Sequence, residues 1–258
     1  MDNKRYGFEV SPFRGSGGGS MSQRSEATAD PAAEKFFKFL GWLVTILVPP
    51  ALVLSAVRLL LTPVFINIEY RTPNFPTDPY GFTREDRLRW SRIALEYLLN
   101  DEDISFLGDL RFEDGSPVYN ERELRHMEDV KEVVQSSLVV WYVSLGGLLL
   151  FDVWAWRGKW WEQFRLGMVR GGNLTLILIG LTIAAVLVGF SLFFVFFHQV
   201  FFESGTWMFR FSDTLIRLFP ERFWRDTFLA AGVLTLAGGL LIRYVFGRKM
   251  KTPPEAAA

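Results

Sequence analysis

The sequence contains no cysteine among its 258 residues. This absence excludes disulfide bonds, thiolate nucleophiles, iron–sulfur clusters and cysteine-based zinc sites together. Histidine is also scarce, because His126 and His198 are the only two. Net charge is lacking as well, since 28 Lys and Arg balance 28 Asp and Glu. That balance argues against nucleic acid as a partner, because nucleic-acid binding needs a basic excess. What the chain has in excess is apolar side chains, which make up 50% of it.

Four apolar stretches account for much of this excess. Each is long enough to cross a bilayer, which needs about 20 helical residues. The pair Pro49-Pro50 predicts a kink in the first of them. We therefore expect an all-α integral membrane protein with four transmembrane helices. The stretches cover residues 35–65, 133–156, 174–202 and 228–246.

The placement of the charges predicts how these helices are oriented. The segment 157–173 holds four Lys and Arg against a single Glu, and the tail 247–258 is also basic next to the last helix. The segment 66–132 holds nine Lys and Arg against sixteen Asp and Glu. Loops rich in Lys and Arg stay in the cytoplasm. We therefore expect both termini inside the cell, and residues 66–132 outside it as a small, mainly helical cap.

The N-terminal residues have the composition of a disordered segment. Residues 1–34 are polar and contain a Gly-Ser run, so we expect a disordered leader and cytoplasmic tail. A second methionine, Met21, directly follows that run. Residues 1–20 are therefore interpreted as a tag or an extension.

Two sequence patterns predict helices within the cap. Thr83 with Asp86, and Asn120 with Glu123, have the spacing of an N-terminal capping box. The first helix should end near Asn100. Nothing breaks the second helix before the next apolar stretch, so it should continue into the second transmembrane helix.

Two other segments near the membrane have less regular patterns. Residues 66–70 are interpreted as a short extended piece. Residues 203–227 form a short loop dense in Phe and Trp, which is typical of the aromatic belt at a membrane surface. Within it, Ser212 with Asp213 predicts the start of a helix that lies in the interface.

The predicted topology places both histidines near the outer membrane surface, and each has alternative interpretations. His198, among phenylalanines, is either bonded to a neighbouring helix or desolvated and neutral, which suits a general base. His126 is either a solvated residue on a helix surface or a second catalytic group. A metal site would need Asp129 as a third ligand, and the paired-histidine motif of zinc enzymes is missing.

Three charged residues outside the histidine motifs also have specific interpretations. Arg58, near the outer end of the first apolar stretch, either extends to the lipid headgroups or contacts a substrate carbonyl or phosphate. Asp213 and Arg217 are one helical turn apart, and we expect them to pair and hold the outer loop closed.

Several motifs, in this order and spacing, resemble those of the Lit family of bacterial lipoprotein intramolecular transacylases. The resemblance covers roughly residues 37–246. The family's two functional histidines correspond to His126 and His198. The matching segments are DPYGFTREDR (78–87), ELRHMEDVK (123–131), HQVFF (198–202), Trp207 and DTLIRLFP (213–220).

The resemblance implies that an acyl chain moves within one lipoprotein molecule. The chain would pass from the sn-2 glyceryl ester to the α-amine of the N-terminal Cys of a diacylated lipoprotein, which gives the lyso form. Donor and acceptor are already tethered, so no enzyme nucleophile is needed. The implied partners are the lipoprotein N-terminus and membrane lipid, with no cofactor. The implied location is the bacterial cytoplasmic membrane, with the active face outside.

The residue roles are hypotheses within this resemblance. His198 is assigned as the base because its surroundings are more apolar. His126, oriented by Asp129 or Glu128, would stabilise the oxyanion or protonate the leaving alcohol, and the two roles are interchangeable. The alternative function is a non-catalytic membrane scaffold that binds a partner through its cap. Residues assigned to support or substrate binding are Arg58, Glu128, Asp129, Phe197, Trp207, Asp213 and Arg217.

Overall fold

The computed structural model describes residues 31–203 and 205–248, and this part of the chain is almost entirely helical. The one β feature in it is an isolated bridge between Arg111 and Pro117. In chain order the helices are α1 (Pro31–Leu60), α2 (Pro63–Glu69), α3 (Arg84–Leu99), α4 (Ser105–Gly108), α5 (Glu121–Arg157), α6 (Trp161–Phe201), α7 (Thr214–Leu218) and α8 (Glu221–Gly247).

Four of these helices, α1, α5, α6 and α8, are long and apolar enough to cross a membrane. Their number confirms the prediction of four transmembrane helices in an all-helical protein. Helix α1 continues through Pro49 and Pro50. Helix α6 has its own interruption at Gly189, whose φ of −162° and ψ of 76° are not helical. The final segment of α6, which carries His198, therefore follows a kink.

Two predictions for the chain on either side of the first apolar stretch need correction. Residues 31–34, expected in the disordered tail, are the first turn of α1, while residues 1–30 and 249–258 lie outside the described part of the chain. Residues 66–70, expected to be extended, belong mainly to α2. Proline at the first position of that helix is favourable because it has no N–H to leave unpaired. The Thr62 side chain caps the helix by accepting a hydrogen bond from the amide of Phe65.

Residues 157–173, expected to be a loop, are mostly helical because α6 already begins at Trp161. Two glycines of this segment pack against α1. A Cβ atom added at Gly171 would lie 2.5 Å from Cβ of Val48, and one at Gly167 would lie 2.5 Å from the carbonyl oxygen of Gly41. Small residues allow two helix backbones to approach this closely. The segment was expected to be a loop because its charges separate two apolar stretches, but its glycines take part in a helix–helix contact.

The cap is defined here as residues 61–132 together with 205–220. Both N-terminal capping boxes are present, Thr83 with Asp86 on α3 and Asn120 with Glu123 on α5, which confirms the predicted helix starts. Helix α5 runs without a break from Glu121 into its apolar part, as expected. Residues 121–132 of α5 are rich in charge and precede the apolar stretch 133–156, so we expect the transmembrane segment to begin after them.

Helix α7 packs into the core of the cap. Its Leu215 and Leu218 are buried in one cluster with Trp90, Tyr97 and Met127 of α3 and α5. This packing was not expected for a segment interpreted as an interfacial loop. Three polar contacts also join the two parts of the cap: Thr214 Oγ1 donates to the carbonyl of Val118 at 2.5 Å, Leu215 N donates to Glu123 Oε1 at 2.7 Å, and Tyr70 Oη donates to the carbonyl of Leu218 at 2.7 Å.

We predict that Gly171→Ala destabilises the α1–α6 contact. The added methyl group has no room beside Val48, and overpacking of this kind costs about 1–3 kcal/mol. The matched control is Gly180→Ala on the same helix, because a Cβ atom there meets nothing within 4 Å. Thermal unfolding of the two variants in detergent tests this. A melting temperature for Gly171→Ala equal to that of Gly180→Ala would contradict the packing.

Candidate active site

The two histidines, far apart in the sequence, meet where the cap joins the transmembrane helices. His126 lies in the second turn of α5, and His198 lies in the last turn of α6. Their ring centroids are 6.1 Å apart, with ring planes inclined by 24°. Each residue is only 8% exposed. The two imidazoles therefore share one desolvated space.

The tautomer of His198 is set by a backbone contact. Its Nδ1 lies 2.8 Å from the carbonyl oxygen of Phe194, one turn earlier in α6. A carbonyl can only accept, so Nδ1 of the neutral ring carries the proton. Nε2 then has a free lone pair, which is the arrangement a general base needs. The rings of Phe194, Phe197, Phe202 and Trp207 surround the imidazole.

His126 has an aromatic environment and an unused nitrogen. The ring of Phe202 is 4.9 Å away and that of Phe209 is 5.3 Å away, both edge-on. Nδ1 of His126 is buried and has no hydrogen-bond partner among the described residues. Burial, with a smaller contribution from His198, lowers the pKa of His126 to about 4. The imidazole is therefore neutral at physiological pH.

An indole N–H completes the polar groups around the histidines. The ring centroid of Trp207 is 4.9 Å from that of His198. Nε1 of Trp207 is buried and has no partner within the described part of the chain. An indole N–H is a donor only. A buried donor without an acceptor, next to a base, suits a substrate oxygen that develops negative charge.

A cavity of about 850 Å³ opens beside this aromatic cluster, between α5, α1 and the end of α6. Phe202 belongs to both, because it lines the cavity and contacts His126. The cavity wall is strongly acidic. Burial, followed by the charges of Glu203 and Glu132, raises the pKa of Asp129. The acidic lining residues are Glu128, Asp129, Glu132 and Glu203.

Comparison with known proteins supports a functional interpretation of this geometry. The sequence model of the family described as lipoprotein intramolecular transacylase Lit matches residues 41–224. The chain belongs to the Lit family. This match confirms the resemblance seen in the sequence motifs, and it supports a role as a lipoprotein intramolecular transacylase.

Relatives of this Lit-family protein include both sequences and solved structures. An uncharacterised protein of Aquifex aeolicus (strain VF5) is 28% identical over 221 residues, which cover 82% of this chain and 96% of the relative. The membrane-integral lipoprotein intramolecular transacylase Lit from Bacillus cereus has the same fold, with a TM-score of 0.71 and 18% identity over 83% of this chain and 96% of that one. A Bacillus cereus Lit variant with one histidine changed to alanine matches with a TM-score of 0.61, at 20% identity over 84% and 96% of the two chains.

Two contacts predicted for the other site residues of this Lit-family protein are absent from the described structure. No hydrogen bond joins His126 to Asp129 or Glu128 in the described structure, because both carboxylates face the cavity instead. Arg217 does not pair with Asp213. Its Nη2 lies 2.9 Å from Oδ2 of Asp78, across the cap. Sequence spacing favoured a partner one turn away, but the fold places a buried carboxylate closer.

The remaining expected residues occupy the surroundings of the site. Asp213 accepts a hydrogen bond from the amide of Arg210 and lies 3.8 Å from Nη2 of Arg122. Arg58 donates to the carbonyl of Leu61 at 3.3 Å. It lies one helical turn beyond Leu54, which lines the acidic cavity. Arg58 is thus on the helix face directed at the cavity, although the structure places it outside the lining.

Sequence reasoning missed three residues that shape the site. Phe202 and Phe209 pack against His126, and Glu123 ties α5 to α7. Phe202 lies within the matched HQVFF motif, so that motif was an available signal. Glu123 was recognised as a helix cap, but nothing in the sequence indicates its second contact. No group of three His, Cys, Asp or Glu residues suited to a metal ion occurs within residues 31–203 and 205–248.

We predict that His126 titrates far below an ordinary histidine. Because its pKa is about 4 in the folded protein and about 6.5 when unfolded, the unfolded chain takes up the proton first as the pH falls. The contribution of His126 should therefore lower the free energy of unfolding as the pH falls from 6.5 to 4. Side-chain ¹⁵N NMR of the protein in micelles, with His198→Gln for assignment, measures the titration. A midpoint near 6.5 would contradict the buried environment.

Proposed function

We propose that this protein moves an acyl chain from the sn-2 glyceryl ester to the α-amine of the N-terminal Cys of a diacylated lipoprotein, giving the lyso form. The observation that carries the proposal is the meeting of its only two histidines, 6.1 Å apart, in a buried space. Membership of the Lit family supports the reaction class. The cap would face the outside of a bacterial cytoplasmic membrane, where mature lipoproteins are held.

The acidic cavity would receive the amine of the substrate. An N-terminal α-amine has a pKa of about 7.7–8.0, so it is mainly a cation at neutral pH. The carboxylates of Asp129, Glu132 and Glu203 would attract it. Asp129, whose pKa is raised, is suited to remove the first proton. The neutral amine would then lie beside the aromatic cluster that contains the ester.

His198 would act as the base during the transfer. The amine nitrogen attacks the ester carbonyl, and Nε2 of His198 accepts the proton that the nitrogen loses. When the tetrahedral intermediate collapses, the bond between the acyl carbon and the glyceryl oxygen breaks. His198 then gives its proton to that oxygen, which leaves as an alcohol. Asp129 releases the first proton to the water of the open cavity, so that both residues return to their starting states. The reaction requires no further reactant, because donor and acceptor belong to one molecule.

The oxyanion would be stabilised by neutral donors. Nε1 of Trp207 and Nδ1 of His126 are both buried without a partner. A pKa of about 4 makes His126 a neutral hydrogen-bond donor rather than a cation at pH 7. This property favours oxyanion stabilisation over proton donation for His126. Donors in a site without water stabilise developing charge more strongly than they would in solution.

The surrounding aromatic residues would hold the acyl chain. Phe197 contacts both His198 and Phe201, and the row continues to Phe193 and Phe228. These rings offer a continuous apolar surface from the histidines into the transmembrane part of α6 and α8. Arg58 would contact the lipid headgroup or the second ester carbonyl. The ion pair between Arg217 and Asp78 would hold α7 in place, together with the loop that contains Trp207 and Phe209.

We predict that His198→Asn and His126→Asn each lower the transfer rate by about 100-fold or more, because proton transfer and oxyanion stabilisation contribute at least that much. The protein is expressed in a host without other lipoprotein N-acylation, and the N-terminal lipopeptide is analysed by mass spectrometry. Gln199→Ala, at an exposed neighbouring position, is the matched control. Full activity in both histidine variants would rule out the mechanism.

We also predict that Asp129→Asn lowers kcat/KM about tenfold at pH 7, the equivalent of one interaction of about 1.4 kcal/mol. The defect should shrink at pH 9, where the substrate amine is already neutral. Glu96→Gln is the matched control, because Glu96 is an exposed acid of the cap that does not line the cavity. Rates on a synthetic diacylated lipopeptide in micelles measure both variants. Equal pH profiles for the two variants would show that the cavity has no part in the mechanism.

A further inference from the structure

A second cavity, of about 420 Å³, lies within the cap and away from the histidines. It is formed by the end of α2, the loop 71–83 and the first turn of α3. Its charged lining is mainly basic, in contrast to the acidic cap around it. The lining contains Arg71, Arg84 and Arg87, with Asp78 as its acid.

Arg87 is the buried charged residue of this cavity. It is only 5% exposed, although its guanidinium group is charged at any physiological pH. Its Nη1 donates to the carbonyl of Pro76 at 2.6 Å, but its buried Nε has no partner among the described residues. A buried charge with an unpaired donor is costly unless an acceptor completes it. The open donor therefore indicates a ligand with acceptor oxygens.

Asp78 does not neutralise the three arginines. Its Oδ2 already accepts from Nε and Nη2 of Arg217 at 3.1 and 2.9 Å, and from the amide of Phe82 at 2.7 Å. Its Oδ1 is buried without a partner, so it offers an acceptor to a hydroxyl group. A ligand that carries both an oxyanion and a hydroxyl would satisfy the Arg87 donor and this oxygen together.

Arg71 and Arg84 supply the remaining charge at the mouth of the cavity. Both are exposed, and neither takes part in an ion pair in the described structure. With Arg87 they are the three arginines that line this one cavity. The planar, multidentate guanidinium matches a phosphate group better than a single point charge does.

The cavity also lies close to where the bilayer surface would be. Arg71 follows α2 directly, and α2 follows the first transmembrane helix. Val64 and Ile68 of α2 are 65% and 60% exposed, so this short helix presents an apolar face outwards. Such a face is suited to lipid. A phosphate group at the surface of a membrane would thus be within reach of the arginines.

We propose that this cavity binds a phosphate oxyanion, supplied either by a phospholipid headgroup or by free phosphate. Arg87 binds one phosphate oxygen, and Arg71 and Arg84 close over the others. A headgroup hydroxyl, where present, donates to Oδ1 of Asp78. The three arginines have no part in the acyl-transfer proposal, and Asp78, which pairs with Arg217, is the one residue that the two proposals share.

The experiment measures ligand binding to the purified full-length protein without any lipoprotein substrate. Inorganic phosphate is titrated by calorimetry in one arm. In the other arm, native mass spectrometry compares nanodiscs of phosphatidylglycerol with nanodiscs of a phosphate-free glycolipid. We expect saturable phosphate binding, retained phospholipid, or both, and which arm responds identifies the source.

The variants connect the binding to the cavity. Arg71→Gln with Arg84→Gln should weaken binding by about tenfold or more, since two of the three arginines that line the cavity lose their charge. Both side chains are exposed, so the double variant should fold even if Arg87→Gln does not. Arg89→Gln, an exposed arginine of α3 outside the cavity, is the matched control. Absence of binding in both arms, or equal binding by the double variant and the control, would overturn the proposal.

Discussion

The site depends on one buried carboxylate, that of Glu123. It is only 1% exposed and accepts from two backbone amides in different parts of the chain. Oε2 accepts from Asn120 at the start of α5, and Oε1 accepts from Leu215 in α7. Burial raises the pKa of Glu123, although these hydrogen bonds act in the opposite direction. One side chain thus caps the start of α5, one turn before His126. The same side chain attaches α7, which follows the aromatic residues Trp207 and Phe209 in the chain.

This attachment creates two adjoining environments with opposite properties. On one side, aromatic rings exclude water from the histidines and leave nitrogen atoms without partners. On the other side, carboxylates line an open cavity that is accessible to a cation. Phe202 separates the two, because it contacts His126 and also lines the cavity. A substrate amine that must arrive charged and react neutral would need both environments in sequence.

The patterns that predicted structure correctly were those that act within one helix. The capping boxes at Thr83 and Asn120 involve residues three positions apart, so the sequence contains all the atoms that form them. A local pattern was wrong where the actual partner lies elsewhere in the chain. Arg217 was paired with a neighbour one turn away, whereas its partner is Asp78 on a different segment. The segment 157–173 was interpreted as a loop because its charges separate two apolar stretches, whereas Gly167 and Gly171 of this segment pack against α1 as part of a helix.

The sequence by itself determined the number of membrane-spanning helices, the starts of the helices at the two capping boxes and the identity of the only two imidazoles. Each of these follows from composition or from contacts within a few residues. Only the tertiary structure decided that the imidazoles lie 6.1 Å apart, that Trp207 leaves its N–H unpaired beside them, and that α7 closes the cap. The reason is physical: burial and desolvation depend on which distant segments pack together, and no local pattern specifies that choice.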